Sequence, residues 1–316
     1  MDAPRVLAFS PIGVDACFGK LYLYALDRAA GNAAGANPPS AAETKRVRLA
    51  TKLPQGVIVA AAGSGENVPE LQSVLNKAGI GMSIPEGLAH DAMIGVSSVA
   101  YTFKWPSEML WHGKVPDGAF CLNGKEDHCF AHRTFRASAH DAAIIYVERA
   151  DDYDVSVAAI GMPDALPDAF HRAKDNDDLM AALAALYDGI VNGRDREQQP
   201  PSPPLGKATL FNIDNTSSFS LRSVVGRKLP GARTVDEALH GCRLFMNKDG
   251  GGVRAGTVMI SKGFSMDAAP PVDIDFRAFK NGYLVLVEMT RRNIGDCEPA
   301  TLVVGWVNVP AGIAAE

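Results

Sequence analysis

The sequence is poor in the features that reveal most functions on sight. It has no apolar run near the eighteen or more residues that a membrane span requires, so no membrane span is expected. It has no basic surplus: 31 lysines and arginines are outnumbered by 36 acids, the net charge is -5, and no basic run occurs. That argues against a nucleic-acid partner, which needs a positive face to meet phosphates. Its five cysteines, Cys17, Cys121, Cys129, Cys242 and Cys297, are an odd and scattered set. Reduced thiols in a cytoplasm fit them better than a disulfide frame. The opening Met1-Asp2-Ala3-Pro4-Arg5 lacks the basic start and apolar segment of a secretory leader, so a cytoplasmic location is expected.

What is present is a globular composition. The chain has 316 residues, 47% of them hydrophobic, which is enough to bury one large core or two small ones and excludes disorder. Arg5 to Phe9 reads as a strand, and Ser10-Pro11-Ile12-Gly13 leads into a helix over Cys17 to Arg28. Gly56 to Ala62 (GVIVAAA) reads as a strand covered on both faces, followed by a helix from Val68 to Ala78 that Gly79 stops. A helix is expected over Ser97 to Trp111 and a strand over Ala119 to Leu122. Ala142 to Glu148 and Val155 to Ile160 form a hairpin around the acidic turn 151–154, and Leu179 to Val191 a helix. The proline-rich stretch 198–206 reads as a surface connection.

The second half runs through a similar order. A strand is expected over Ala208 to Ile213, helices over Ser217 to Val225 and Thr234 to Cys242, and a strand over Thr257 to Ile260. Tyr283 to Glu288 and Thr301 to Val307 form a closing hairpin. Gly56–His90 lies over Gly206–His240 without a gap and shares six residues, which suggests a duplicated unit. The halves are drawn at 1–165 and 166–316, as an α/β protein with strands interleaved with helices.

Four stretches in order carry a family resemblance: VLAFSPIGVDA from Val6, GVIVAAAGSG from Gly56, the segment Gly95 to Asp127, and AHDAAIIYVERADDYDVSVAAIG from Ala139. Together with the duplication they resemble the β-ketoacyl synthase branch of the thiolase-like superfamily. The resemblance implies a thiolase-like fold, two duplicated α/β halves forming a layered αβαβα core. It puts the family's nucleophilic cysteine at Val96 or Ser97, and its two histidines at Asp214 and at Arg227 or Lys228. None of these can form the thioester or support decarboxylation, so the resemblance implies a non-condensing protein. Its role would be that of a chain-length-factor-like subunit in fatty acid or polyketide assembly, paired with a ketosynthase or with itself and near an acyl carrier protein. No cofactor is implied.

Other residues offer alternatives. His112, His128, His132 and His140 cluster beside Cys121, Cys129, Asp127 and Asp141, but no zinc spacing is met and no metal is expected. Cys129 with His128 and His132 could form a relocated nucleophilic site of a stand-alone acyltransferase or hydrolase. Gly63-x-Gly65 lacks the third glycine of a dinucleotide turn. Asp273-x-Asp275 places two carboxylates on one strand face, and the acids from Asp175 to Asp178 suit a helix start. A purely structural or binding protein is the remaining alternative.

Overall fold

The computed structural model describes residues 4–30, 58–124, 132–134, 141–149, 153–162, 165–192, 205–222, 224–231, 233–253, 272–291 and 300–308. In chain order the first elements are β1 (Arg5–Phe9), α1 (Pro11–Ala30), β2 (Ile58–Ser64), α2 (Val68–Asn76), β3 (Met93–Val99), β4 (Tyr101–Phe103) and β5 (Ala119–Asn123). Next come β6 (His132–Thr134), β7 (Asp141–Arg149), β8 (Tyr153–Gly161), α3 (Asp168–Arg172) and α4 (Asn176–Asn192). The remainder is strand: β9 (Leu205–Phe211), β10 (Ile213–Ser220), β11 (Lys228–Leu229), β12 (Arg233–Thr234), β13 (Leu239–Asn247), β14 (Gly250–Val253), β15 (Val272–Asp275), β16 (Tyr283–Arg291) and β17 (Ala300–Asn308). The protein is mixed α/β.

The largest sheet has the order β1-β17-β16-β8-β7-β6, and every neighbouring pair is antiparallel. Its central strands are apolar at successive positions because both faces are covered. On one face Leu284, Leu286 and Trp306 meet Leu183 and Met180 of α4. On the other, Val285, Val287 and Val303 share a core with Leu210 of β9 and with Leu244 and Met246 of β13. Three smaller sheets place the candidate site, β2-β3, β10-β13-β14-β4 and β11-β12, while β15-β9-β5 shares the core of the large sheet.

Several sequence expectations hold. The expected helix over Cys17 to Arg28 forms within α1 but starts six residues earlier, at Pro11, where Ser10 Oγ accepts the Gly13 amide at 3.1 Å. Asp175 opens α4 by accepting the Asp178 amide at 2.9 Å, and Arg222 bridges Asp175, Asp177 and Asp178. Both expected hairpins form, as β7–β8 and β16–β17.

Three expected helices do not form. Ser97 to Trp111 is instead the end of β3, then β4 and a short 3-10 turn at Ser107–Met109. Ser217 to Val225 begins as β10, whose burial alternates with period two, and Thr234 to Cys242 runs into β13. In β10 the buried Ile213, Ser217 and Phe219 alternate with exposed residues, and that alternation outweighs a helical reading. The duplication fails with them, because α2 in the first half lies over β10 in the second. The hairpins of the two halves are neighbours in one sheet, through β8 and β16. The expected connection at 198–206 up to Pro204 and the strand at Thr257 to Ile260 lie outside the described residues.

Candidate functional site

The site is a cleft between two strands of different sheets. β3 pairs with β2 along one edge, and β13 pairs with β10 along one edge. At their upper ends β14 lies between the two, pairing with Leu244–Asn247 of β13 on one side and with Tyr101–Phe103 of β4 on the other. Ala100 alone separates β4 from β3. One residue cannot reverse a strand, since the tightest hairpin needs two, so β4 prolongs β3. β14 thus holds β13 and the β3–β4 line one strand apart, about 9–10 Å centre to centre.

Below Val253 no strand fills that gap among the described residues. Carrying the β14 register downward sets Val99 level with Cys242, Ser98 with Gly241, and Ser97 with His240. The side chains agree with this register. Ser97 Oγ donates to the Gly13 carbonyl at 2.6 Å, and His240 Nε2 accepts the Ser10 amide at 3.0 Å, so both reach the start of α1 from the same level. The resulting cavity measures about 640 Å³. Its floor is α1, with Gly13, Cys17, Phe18 and Leu21. Its roof is the segment 77–92, with Ile80, Met82, Ile84 and Leu88. Leu88 and Leu239, large apolar side chains exposed to solvent at 39% and 45%, both line it.

His240 is the chemically informative group. It is 9% exposed, lines the cavity and packs at a tilt against Phe219 with ring centroids 5.4 Å apart. Burial pushes its pKa down to about 4, so it is neutral at physiological pH. Because Nε2 accepts the Ser10 amide, the neutral ring carries its proton on Nδ1. That Nδ1–H has no hydrogen-bond acceptor among the described residues, and a buried donor without a partner costs about 1–3 kcal/mol. Cys17 is a second cavity group; burial pushes its thiol up to about 12, which makes it a poor nucleophile in the closed cleft.

The residues assigned through the family resemblance do not converge. Val96 is buried in β3 with Leu71 and Ile84, and Ser97 is bonded to α1. Asp214 is on β10 and forms a two-point pair with Arg243, at 2.9 Å for each bond, which holds its carboxyl below the usual range. Arg227 stacks over the Phe18 ring at 5.7 Å, and Lys228 lies on β11. No helix begins at Val96 or Ser97, so the thiolate-stabilising helix terminus of a condensing enzyme is absent there. Of the alternative site, Cys129 and His128 lie outside the described residues, and His132 is placed by its backbone alone, opposite Ala143 in β6.

Among the described residues no group of His, Cys, Asp and Glu could hold a metal ion. Asp275 is neutralised by Arg277, and Asp273 faces Lys207 at 4.0 Å. Gly65 opens a short 3-10 turn under the Ala89 carbonyl rather than a phosphate loop.

No protein-family model matches the chain, and no curated protein matches it. Among solved structures it is similar to human glycosylated kallistatin, at 11% identity and a TM-score of 0.40, with 95% of this chain and 90% of that one covered. With strands where the nucleophile helix should start, the assignment to the β-ketoacyl synthase branch is withdrawn. No described helix is long and apolar enough to cross a membrane.

Proposed function

We propose that the chain is a binding protein whose cleft between β3 and β13 accepts an extended peptide by strand addition. The observation that carries this reading is β14, which already occupies the same gap at its upper end and pairs with both walls. A segment entering below it would run antiparallel to both β3 and β13. It would satisfy two rows of backbone groups at once, as strand-adding domains do at one edge. Ordering a residue costs about 1–2 kcal/mol, and a backbone hydrogen bond returns about 1 net. Backbone pairing therefore roughly balances the ordering cost, and the two lined faces of the cleft set affinity. At the level of Ser97 and His240, a hydroxyl or carbonyl of the segment would accept from the free Nδ1–H.

A second reading has one observation in its favour. The lower end of the cavity is lined by Phe18, Leu21, Met93 and Val224, an apolar wall that suits an acyl chain. That wall would take an acyl-type ligand in place of a peptide.

The two readings separate by backbone chemistry. A fluorescein-labelled, acetylated decapeptide of alternating threonine and valine should bind saturably in an anisotropy titration. Versions N-methylated at every second residue lose the donors to one wall and should bind at least about tenfold more weakly. Equal binding of the N-methylated peptides, or binding of fluorescent dodecanoate with no binding of the peptide, would overturn strand addition in favour of the acyl reading.

A further inference from the structure

The cleft is roofed as well as floored. After α2 ends at Asn76, the chain crosses above the gap from residue 77 to residue 92 before entering β3. Its path turns at Gly79 and Gly81, with φ of 62° and 73°, values that side-chain-bearing residues rarely adopt. At these turns the crossing segment is seated, through Ile80 and Met82, on one residue of the opposite wall. A Cβ on Gly241 would lie 2.5 Å from Met82 Sδ and 3.0 Å from Ile80 Cδ1. The missing side chain of Gly241 is thus the seat in which Met82 rests, on the face of β13 opposite to His240.

Two further contacts fasten the segment. Gln72 of α2 donates through Nε2 to the Met82 carbonyl and accepts the Ile84 amide at Oε1, both at 2.9 Å. This brackets Met82 as a neighbouring strand would. At the far end Arg233 donates to the Asp91 carbonyl at 3.3 Å and faces the Asp91 carboxylate at 3.9 Å, tying the segment to the β13 side of the cleft.

From these contacts we infer that residues 77–92 are a gate over the cleft, with Met82 in the Gly241 seat as its latch and Gln72 as the catch that holds it. The inference rests on the strand-addition reading and adds how entry is controlled. A strand seated level with Ser98 and Gly241 turns its side chain toward the roof, into the space Met82 fills. Met82 must leave before that residue can enter. An unbranched thioether with three rotatable bonds can do so at small cost. The closed state of the free protein therefore competes with the occupant, and the bound state has the latch undone.

The kinetics follow from that competition. Weakening the latch destabilises the free state alone, so association should accelerate while dissociation stays unchanged. Gly241→Ala unseats Met82, Met82→Ala removes it, and Gln72→Ala releases the catch. Each should raise the association rate of the threonine–valine decapeptide at least about fivefold in stopped-flow anisotropy.

A readout that needs no peptide is alkylation of Cys17, which lines the cavity beneath the gate. Opening hydrates its thiol and should raise the rate of iodoacetamide labelling by the same factor, followed by peptide mapping with Cys17→Ser as the blank. Unchanged labelling and unchanged association in all three variants would overturn the gate while leaving strand addition in place, provided the wild-type protein binds peptide. Faster labelling with no peptide bound by any form would uphold the gate and overturn strand addition. Intact thermal unfolding of Gln72→Ala, which leaves both strand walls untouched, guards against a folding defect in the Gly241 variant.

Discussion

At the scale of single residues, His240 ties stability to pH. Its pKa is about 4 in the folded protein and about 6.5 when exposed. Above pH 6.5 neither state is protonated and the group has no effect. Between 6.5 and 4 the unfolded chain takes up a proton that the folded chain refuses, so stability falls as pH falls. The loss reaches about 3 kcal/mol by pH 4. His240→Gln keeps an acceptor for the Ser10 amide and removes the titration. Urea midpoints measured from pH 8 to pH 4 should therefore fall less steeply in the variant; parallel curves would show that His240 is not the group responsible. Little in the local pattern points to this residue. His240 could be read as one match in an alignment of halves, whereas its significance comes from Ser10, 230 positions away. Local pattern does not carry a contact of that separation.

At the scale of elements, the readings that succeeded rest on local chemistry. The Ala- and Leu-rich stretch after Asp175 makes α4, and the apolar runs from Ala142 and from Val155 make the β7–β8 hairpin. Those that failed concern strands with mixed faces. β3 (MIGVSSV) and β10 (IDNTSSFS) each carry serines that turn toward other elements, as Ser97 does to α1 and Ser217 to the Val6 carbonyl. Without the partners in view, such serines blur the alternation that marks a strand. The element scale also shows how the smaller sheets are seated on the large one. Gly305 in β17 leaves room for Leu244 of β13, whose Cδ2 would stand 2.4 Å from a Cβ there. Gly305→Ala should cost about 1–3 kcal/mol in urea unfolding through overpacking. Leu244→Val in the same chain should recover part of that loss, giving a sum smaller than the two single costs; strict additivity would mean that the residues do not share the space.

At the scale of the whole molecule, burial divides the chain into a rigid block and a working edge. Tyr283 to Val287 of β16 and Leu302 to Val304 of β17 are all but inaccessible, with strands on each side and cores on both faces. Among the described residues β2 and β3 pair with each other alone, and they carry a small separate core of Leu71, Ile84 and Val96. Native-state amide exchange should be slowest in β8, β16 and β17, at the rate of global unfolding. β3 and residues 77–92 should exchange through smaller openings, with lower denaturant dependence. Uniform exchange across both regions would contradict a cleft that opens on its own. This division could not be read from composition, since the alternating run of β3 and the continuous run of β16 are both apolar. It depends on which edges find partners.

One consequence concerns how the chain is made. β1 pairs along its whole length with β17, Arg5 opposite Asn308 and Phe9 opposite Val304. At ribosomal speeds of about 5–20 residues per second, the first strand must wait roughly 15–60 s for its neighbour to be synthesised. Through that interval Val6 to Phe9 form an exposed apolar edge, and Ser10 can meet His240 only late. The amino-terminal strand therefore closes the sheet as one of the last events of folding. A cell making this protein must shield that edge, which makes its yield sensitive to chaperone supply and to the speed of translation.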